Sequence, residues 1–284
     1  MRLPWIHLHD RAHHTDARDD GRGLIWNLSD MGLRYPDGTT ALEGVTCRVS
    51  APLTVVLGLN GSGKTTLLRL LSARLAPSSG CLDASSPDGS RTWTMTRRRD
   101  RRTTARDVAF VGIDGATGLD ADDTAASAVA RRVRSRYPRG EDVDMRTADI
   151  MGLCLLSDRR KARVSSLDVL GTRRLAIAMA LAGNPRLIVM DEPTRGLEGP
   201  QAKKIAGIIK RCGRQAILST HDLDLAGTFD DPGNQALVLD SGHLIGLESV
   251  ADGLRRYQKT IEARLKGSVP PAYQPHQATR SHSR

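Results

Sequence analysis

Eight consecutive residues, Gly58–Thr65 (GLNGSGKT), restrict this chain more than any other part of it. A side chain at Gly58, Gly61 or Gly63 would block close approach of the main chain to a bound anion, and here there is none. An apolar, β-branched run, Leu53–Leu57, leads into the loop. A stretch of helical composition, Thr65–Leu75, leaves it and stops before Pro77. Strand, glycine loop and helix come in the order that lets successive N–H groups and a helix N-terminus face a phosphate. Far downstream a second apolar run, Leu187–Met190, ends in two adjacent carboxylates, Asp191 and Glu192.

These two segments predict a P-loop nucleoside triphosphate hydrolase whose substrate is ATP. The loop residues Gly58, Asn60, Gly61, Ser62, Gly63, Lys64, Thr65 and Thr66 are its expected nucleotide contacts. Lys64 is expected to reach the β- and γ-phosphates. The Thr65 hydroxyl and the Asp191 carboxylate are the expected holders of Mg2+, and Glu192 the group that orients or activates water. Phosphoryl transfer asks a protein mainly for positioning and charge neutralisation, and this set supplies both. His221 comes after the strand-like run Ala216–Thr220 and is the candidate γ-phosphate sensor. Lys64, Glu192 and His221 therefore form the expected catalytic group.

The alternation of short apolar runs with helical stretches predicts an α/β fold with a mainly parallel sheet. Strands are expected over Leu24–Leu33, Leu42–Val49, Leu53–Leu57, Val108–Val111, Leu187–Met190, Gln215–Ser219 and Ala236–Leu239. Further helices are expected over Thr124–Tyr137, Thr147–Leu156, Thr172–Ala182 and Gln201–Cys212. Ser78–Thr92 has turn composition, and Arg97–Arg106 (RRRDRRTTAR) is expected to be a solvated loop. Residues 1–22 form an expected flexible leader, holding His7, His9, His13 and His14. Residues 256–284 form an expected disordered tail.

With 39% apolar residues the chain can build a core, but only 3% are aromatic, so aliphatic side chains must fill it. The net charge of +10 is compatible with anionic partners, yet no aromatic residues interleave with the arginines to stack on bases. Nucleic acid is accordingly a disfavoured partner. Cys47, Cys81, Cys154 and Cys212 form no CxxC unit, which suits a reduced intracellular chain. No run is long and apolar enough to span a membrane, and the start lacks the apolar stretch of a secretion signal.

Taken as an ordered set, these residues resemble the ATP-binding cassette family, over roughly Leu24–Val250. Tyr35, upstream of the loop, resembles the aromatic residue that stacks on adenine. Arg195-Gly196-Leu197-Glu198 resembles the loop that crosses a dimer interface, with Glu198 at the usual aspartate position. His221 matches the switch histidine. The resemblance implies a nucleotide-binding core over 23–255 with a helical subdomain at about 115–183. Two positions depart from the family pattern. Leu167-Asp168-Val169-Leu170-Gly171 stands where LSGGQ is usual, and Ile113 stands near the usual glutamine, with Asp114 beside it. An ionised Asp168 cannot donate a hydrogen bond to a partner's γ-phosphate, so that half-site is expected to be weakened.

The function that the resemblance implies is ATP hydrolysis coupled to transport, by a subunit peripheral at the cytoplasmic, inner face of the cell membrane. Its expected partners are separate transmembrane permease subunits and a second cassette, identical or non-identical. A low-turnover regulatory or binding module is the alternative, and a soluble nucleic-acid-associated cassette is third.

Overall fold

The computed structural model describes residues 23–112, 119–137 and 142–266. The leader, Ile113, Asp114 and residues 267–284 lie outside the described residues.

Two sheets organise the described chain. The larger has six strands in the order β10-β9-β3-β8-β7-β6. These are β3 (Leu53–Leu57), β6 (Val108–Val111), β7 (Leu187–Met190), β8 (Gln215–Ser219), β9 (Gln235–Asp240) and β10 (His243–Ser249). Five of them run parallel, and β10 turns back antiparallel onto β9. The strands β3, β7 and β8 are buried at every position because both faces are covered. Alternate residues feed opposite cores: Val55, Ile188 and Leu218 point to one, Val56, Val189 and Ile217 to the other.

The second sheet is antiparallel, in the order β2-β1-β4-β5: β1 (Ile25–Arg34), β2 (Thr40–Val49), β4 (Ser79–Ser85) and β5 (Thr92–Thr94). It closes one core together with helix α1 (Lys64–Leu71), around Trp26, Leu28, Met31 and Leu67. The other core is covered by α3 (Ala125–Arg136), α4 (Val143–Leu153), α5 (Val169–Ala182), α6 (Gly199–Arg211) and the last helix. The helices α3, α4 and α5 all fall between β6 and β7, the stretch in which a helical subdomain is expected.

Four local expectations need correction. β4 lies within the segment of turn composition; pairing with β1 along Ile25↔Ser85 to Gly32↔Ser79 overrides its weak local preference. The arginine run is not a loop but helix α2 (Arg98–Asp107), since arginine is a good helix former. Asp100 in its first turn accepts from the Thr94 amide at 3.1 Å, and Arg101 donates to the Met95 carbonyl at 2.9 Å. β5 and β10 are additional strands, absent from the expected set. Nor does the ordered chain stop at 255, because α8 runs over Val250–Leu265. Ser249 caps α8 by accepting from the Asp252 amide, and Val250, Gly253, Tyr257 and Thr260 recur at helical spacing on its buried face. Among the described residues no helix is long and apolar enough to cross a membrane.

Candidate functional site

Parallel strands β3, β7 and β8 bring the three distant segments together at their carboxyl ends. The register pairs Met190 with Leu218 and Val56 with Ser219. The glycine loop after β3, the two carboxylates after β7 and the end of β8 therefore share one rim of the sheet. That rim is where open α/β sheets present ligand sites.

The glycine loop is shaped as the sequence demands, for two separate reasons. A Cβ at Gly58 would lie 2.3 Å from Ser62 Oγ and 2.6 Å from the Leu239 carbonyl. Gly63 combines φ 99° with a would-be Cβ 2.6 Å from the Ala41 carbonyl. Gly61 differs: its φ of 80° favours glycine, but a Cβ there would meet no protein atom. Asn60 and Gly61 form the exposed tip, while Ser62, Lys64 and Thr66 are buried.

Helix α1 begins at Lys64 with Gly63 as its N-cap, so no side chain satisfies the amides of its first turn, and that turn contains no acid. By contrast α3, α4, α5, α7 (Leu223–Gly227) and α8 each have a side-chain oxygen accepting from a first-turn amide. The α1 end thus keeps its donors and the positive end of its dipole for an anion. Lys64 lies folded against the loop, its Nζ donating to the Gly58 carbonyl at 2.7 Å and the Leu59 carbonyl at 3.0 Å. Burial lowers the Lys64 pKa from the usual lysine value, and the carboxylates of Glu192 and Asp191 act in the opposite direction.

Asp191 is tied at both oxygens. Thr65 Oγ1 donates to Oδ2 at 2.8 Å and Ser219 Oγ donates to Oδ1 at 2.7 Å. Thr65 and Asp191 are hard oxygen donors side by side. Among the described residues no cluster of three or more His, Cys, Asp or Glu side chains suits a metal. A hydroxyl beside a carboxylate fits Mg2+, which takes one or two protein oxygens and completes its shell with water and phosphate. It does not fit a closed zinc site.

Glu192 is buried, with φ 47°, and its amide donates to Ser219 Oγ at 3.0 Å. Its Oε2 lies 2.9 Å from Nδ1 of His221, whose side chain is 58% exposed. A buried carboxylate held by a half-open imidazole can orient water and exchange a proton with solvent. The structure thus brings Lys64, Thr65, Asp191, Glu192 and His221 into one cluster. Tyr35 lies beside the loop rather than in this cluster, its hydroxyl hydrogen-bonded to that of Thr66 at 3.0 Å.

Two residues near the loop escaped sequence reasoning. Ser219 sits inside an ordinary buried strand and carries no pattern of its own. Tyr257 belongs to α8, and its hydroxyl donates to the Gly58 carbonyl at 3.4 Å. Burial, then the Glu192 charge, raise the Tyr257 pKa. The Ser249–Asp252 cap and the spacing of Val250, Gly253, Tyr257 and Thr260 could have revealed that helix.

The segment that replaces LSGGQ has a definite structure. Asp168 is the N-cap of α5, and its Oδ1 accepts from the Gly171 amide at 2.7 Å. Val169 is 54% exposed beside it. The start of α5 is therefore closed by its own carboxylate, whereas the start of α1 is open. Glu198 is the N-cap of α6, its amide donating to the Gln201 side-chain oxygen at 3.3 Å. Ile113 and Asp114 lie outside the described residues.

A glycine loop feeding an uncapped helix, a buried lysine and a strand ending in two carboxylates define a P-loop nucleoside triphosphatase. The sequence profile of the family described as ABC transporter matches residues 44–195. A putative ABC transporter ATP-binding protein of Geobacter sulfurreducens is 34% identical over 205 residues, covering 71% of this chain and 78% of the relative. The energy-coupling factor transporter ATP-binding protein EcfA of Methanothermobacter thermautotrophicus is 31% identical over 229 residues, covering 77% and 68%. In fold, the chain is similar to cbiO1 from Clostridium perfringens, described as part of the ABC transporter complex cbiONQ. The TM-score is 0.70 at 21% identity, over 86% of this chain and 96% of that one. The chain belongs to the ABC transporter family, as an ATP-binding and ATP-hydrolysing subunit.

Proposed function

We propose that this chain hydrolyses Mg2+–ATP at the cluster around Lys64 and Asp191, and that it does so within an asymmetric pair of cassettes. The observation that carries the reading is the contrast between its two helix ends: α1 starts uncapped beside Lys64, and α5 starts already capped by Asp168. The first end has free donors for a triphosphate. At the second, one donor is already taken and a carboxylate repels phosphate. A partner cassette with an unblocked helix end would complete the site at Lys64, and the reciprocal site would turn over slowly. Two copies of this chain would place a capped α5 at both sites.

Within the site, Lys64 neutralises phosphate charge, Thr65 and Asp191 hold the metal, Glu192 orients water, and His221 reports the γ-phosphate position. Bound Mg2+ supplies charge neutralisation on the phosphate oxygens. Tyr35 carries the adenine, a role supported by its hydroxyl bond to Thr66, next to the loop residue Thr65. Separate membrane-spanning subunits would receive the work at the cytoplasmic face of the membrane. The description of cbiO1 as part of a transporter complex supports such partners.

The test is Glu192→Gln, measured with candidate cassette and membrane partners. ATP turnover should fall by about 10²–10⁴-fold, the usual contribution of a positioned acid–base group, with ATP binding retained. Turnover within about threefold of wild type would remove Glu192 from this role.

A further inference from the structure

Ser219 ends β8 and belongs to none of the sequence motifs, yet it touches both carboxylate residues of the site. The register of β7 on β8 places Met190 opposite Leu218, so Asp191 and Ser219 emerge together one residue later. Ser219 is fully buried. Its single hydroxyl makes two bonds whose direction is forced. The Glu192 amide can only donate, so Ser219 Oγ accepts from it at 3.0 Å. The hydroxyl proton then goes to Asp191 Oδ1, at 2.7 Å. The other carboxylate oxygen, Oδ2, is the one that meets Thr65, at 2.8 Å. The two oxygens of Asp191 therefore have different neighbours: one faces the sheet and one faces the phosphate loop. Glu192, meanwhile, holds φ 47°, a region that non-glycine residues occupy only when their surroundings fix it. The hydrogen bond from its amide to Ser219 is one such constraint, and it accompanies the approach of Glu192 Oε2 to His221.

We propose that Ser219 is a positioning residue for ATP hydrolysis. By holding Asp191 Oδ1, it reserves Oδ2 for the metal side of the site, and by holding the Glu192 amide it aims the water-orienting carboxylate. This rests on the reading of Thr65 and Asp191 as the metal-holding pair. An alanine at 219 frees the Asp191 carboxylate to rotate and leaves the Glu192 amide buried without an acceptor. A threonine keeps the hydroxyl.

The experiment compares full-length wild type, Ser219→Ala and Ser219→Thr. A fluorescent ATP analogue is titrated in EDTA and across a Mg2+ series, and thermal unfolding is measured without nucleotide. Ser219→Ala should raise the Mg2+ concentration for half-maximal tight binding at least about fivefold, the loss expected for one hydrogen bond to a charged group. Its affinity in EDTA should stay within about twofold, because the loop amides and Lys64 are untouched. Ser219→Thr should return the Mg2+ response to within about twofold of wild type. If alanine does not fold, Ser219→Cys keeps the volume with a weaker donor and should show the same upward shift. A folded Ser219→Ala or Ser219→Cys protein with the wild-type Mg2+ response overturns the proposal, as does a folded threonine variant that fails to restore it. A wild type that binds the analogue with no Mg2+ dependence overturns the metal reading itself, and this proposal with it.

Discussion

Replacing Asp168 separates its structural task from its consequence for a partner. In the structure its Oδ1 accepts from the Gly171 amide at 2.7 Å. A Cβ at Gly171 would approach that oxygen to 2.9 Å, so the glycine helps the carboxylate lie so close. Loss of such a cap costs about 1 kcal/mol, and loss of a negative charge at a helix N-terminus adds roughly 0.3–1 kcal/mol. Asp168→Ala should therefore destabilise the protein by about 1–2 kcal/mol. At about 2–4 °C per kcal/mol for a protein near this size, its unfolding midpoint should fall by roughly 2–8 °C. Asp168→Asn keeps an accepting oxygen and loses only the charge, so its midpoint should drop by at most about 4 °C and less than that of alanine. Differential scanning calorimetry on the isolated chain reads both. If Asp168→Ala unfolds within about 1 °C of wild type, the carboxylate is not holding α5, and the idea that its own cap closes this helix end fails.

Two further outcomes come from burial. A chain ended after Arg255 loses Tyr257 and Thr260, both buried, and the 2.6 Å pair of Arg264 with Asp240. Deleting a buried aromatic side chain alone costs about 3–5 kcal/mol. Its midpoint should lie at least about 6 °C below that of a chain ended after Lys266, and a gap under about 2 °C would contradict the packing role of α8. Among the cysteines, burial pushes the Cys47 thiol up to about 12 and raises those of Cys154 and Cys212 as well. All three should remain protonated and slow at pH 8, while exposed Cys81 reacts. A chromogenic disulfide reagent should therefore find one fast thiol in the native protein and four after denaturation. Two or more fast native thiols would contradict this.

The parts of the fold legible in the sequence are those where local pattern and tertiary role agree. Leu53–Leu57 and Gln215–Ser219 are buried on both faces, so their composition alone marks them, and the observed strands have those same bounds. The loop at Gly58–Thr65 is legible because only glycine tolerates its crowding and its positive φ angles. Legibility fails where a distant element decides. The segment Ser79–Ser85 is a strand because β1 is beside it, not because serine and glycine prefer one. The arginine run conceals a helix because charge suggests solvent, while the helical preference of arginine and the bond from Thr94 to Asp100 are less conspicuous. Within the site, Lys64, Asp191, Glu192 and His221 could be found from motif spacing. Ser219 could not, because its importance comes from strand register, and register is invisible until β7 and β8 are paired.

The contact between Tyr257 and Gly58 spans 199 positions of the chain. At synthesis rates of about 5–20 residues per second, the glycine loop waits roughly 10–40 s before that tyrosine is even polymerised. The other strands that flank β3 are made late as well. A nascent chain thus carries its nucleotide motif long before it has the sheet and the closing helix that give the motif its shape. ATP can favour the folded molecule over its precursors only once β8, β9 and α8 have been made.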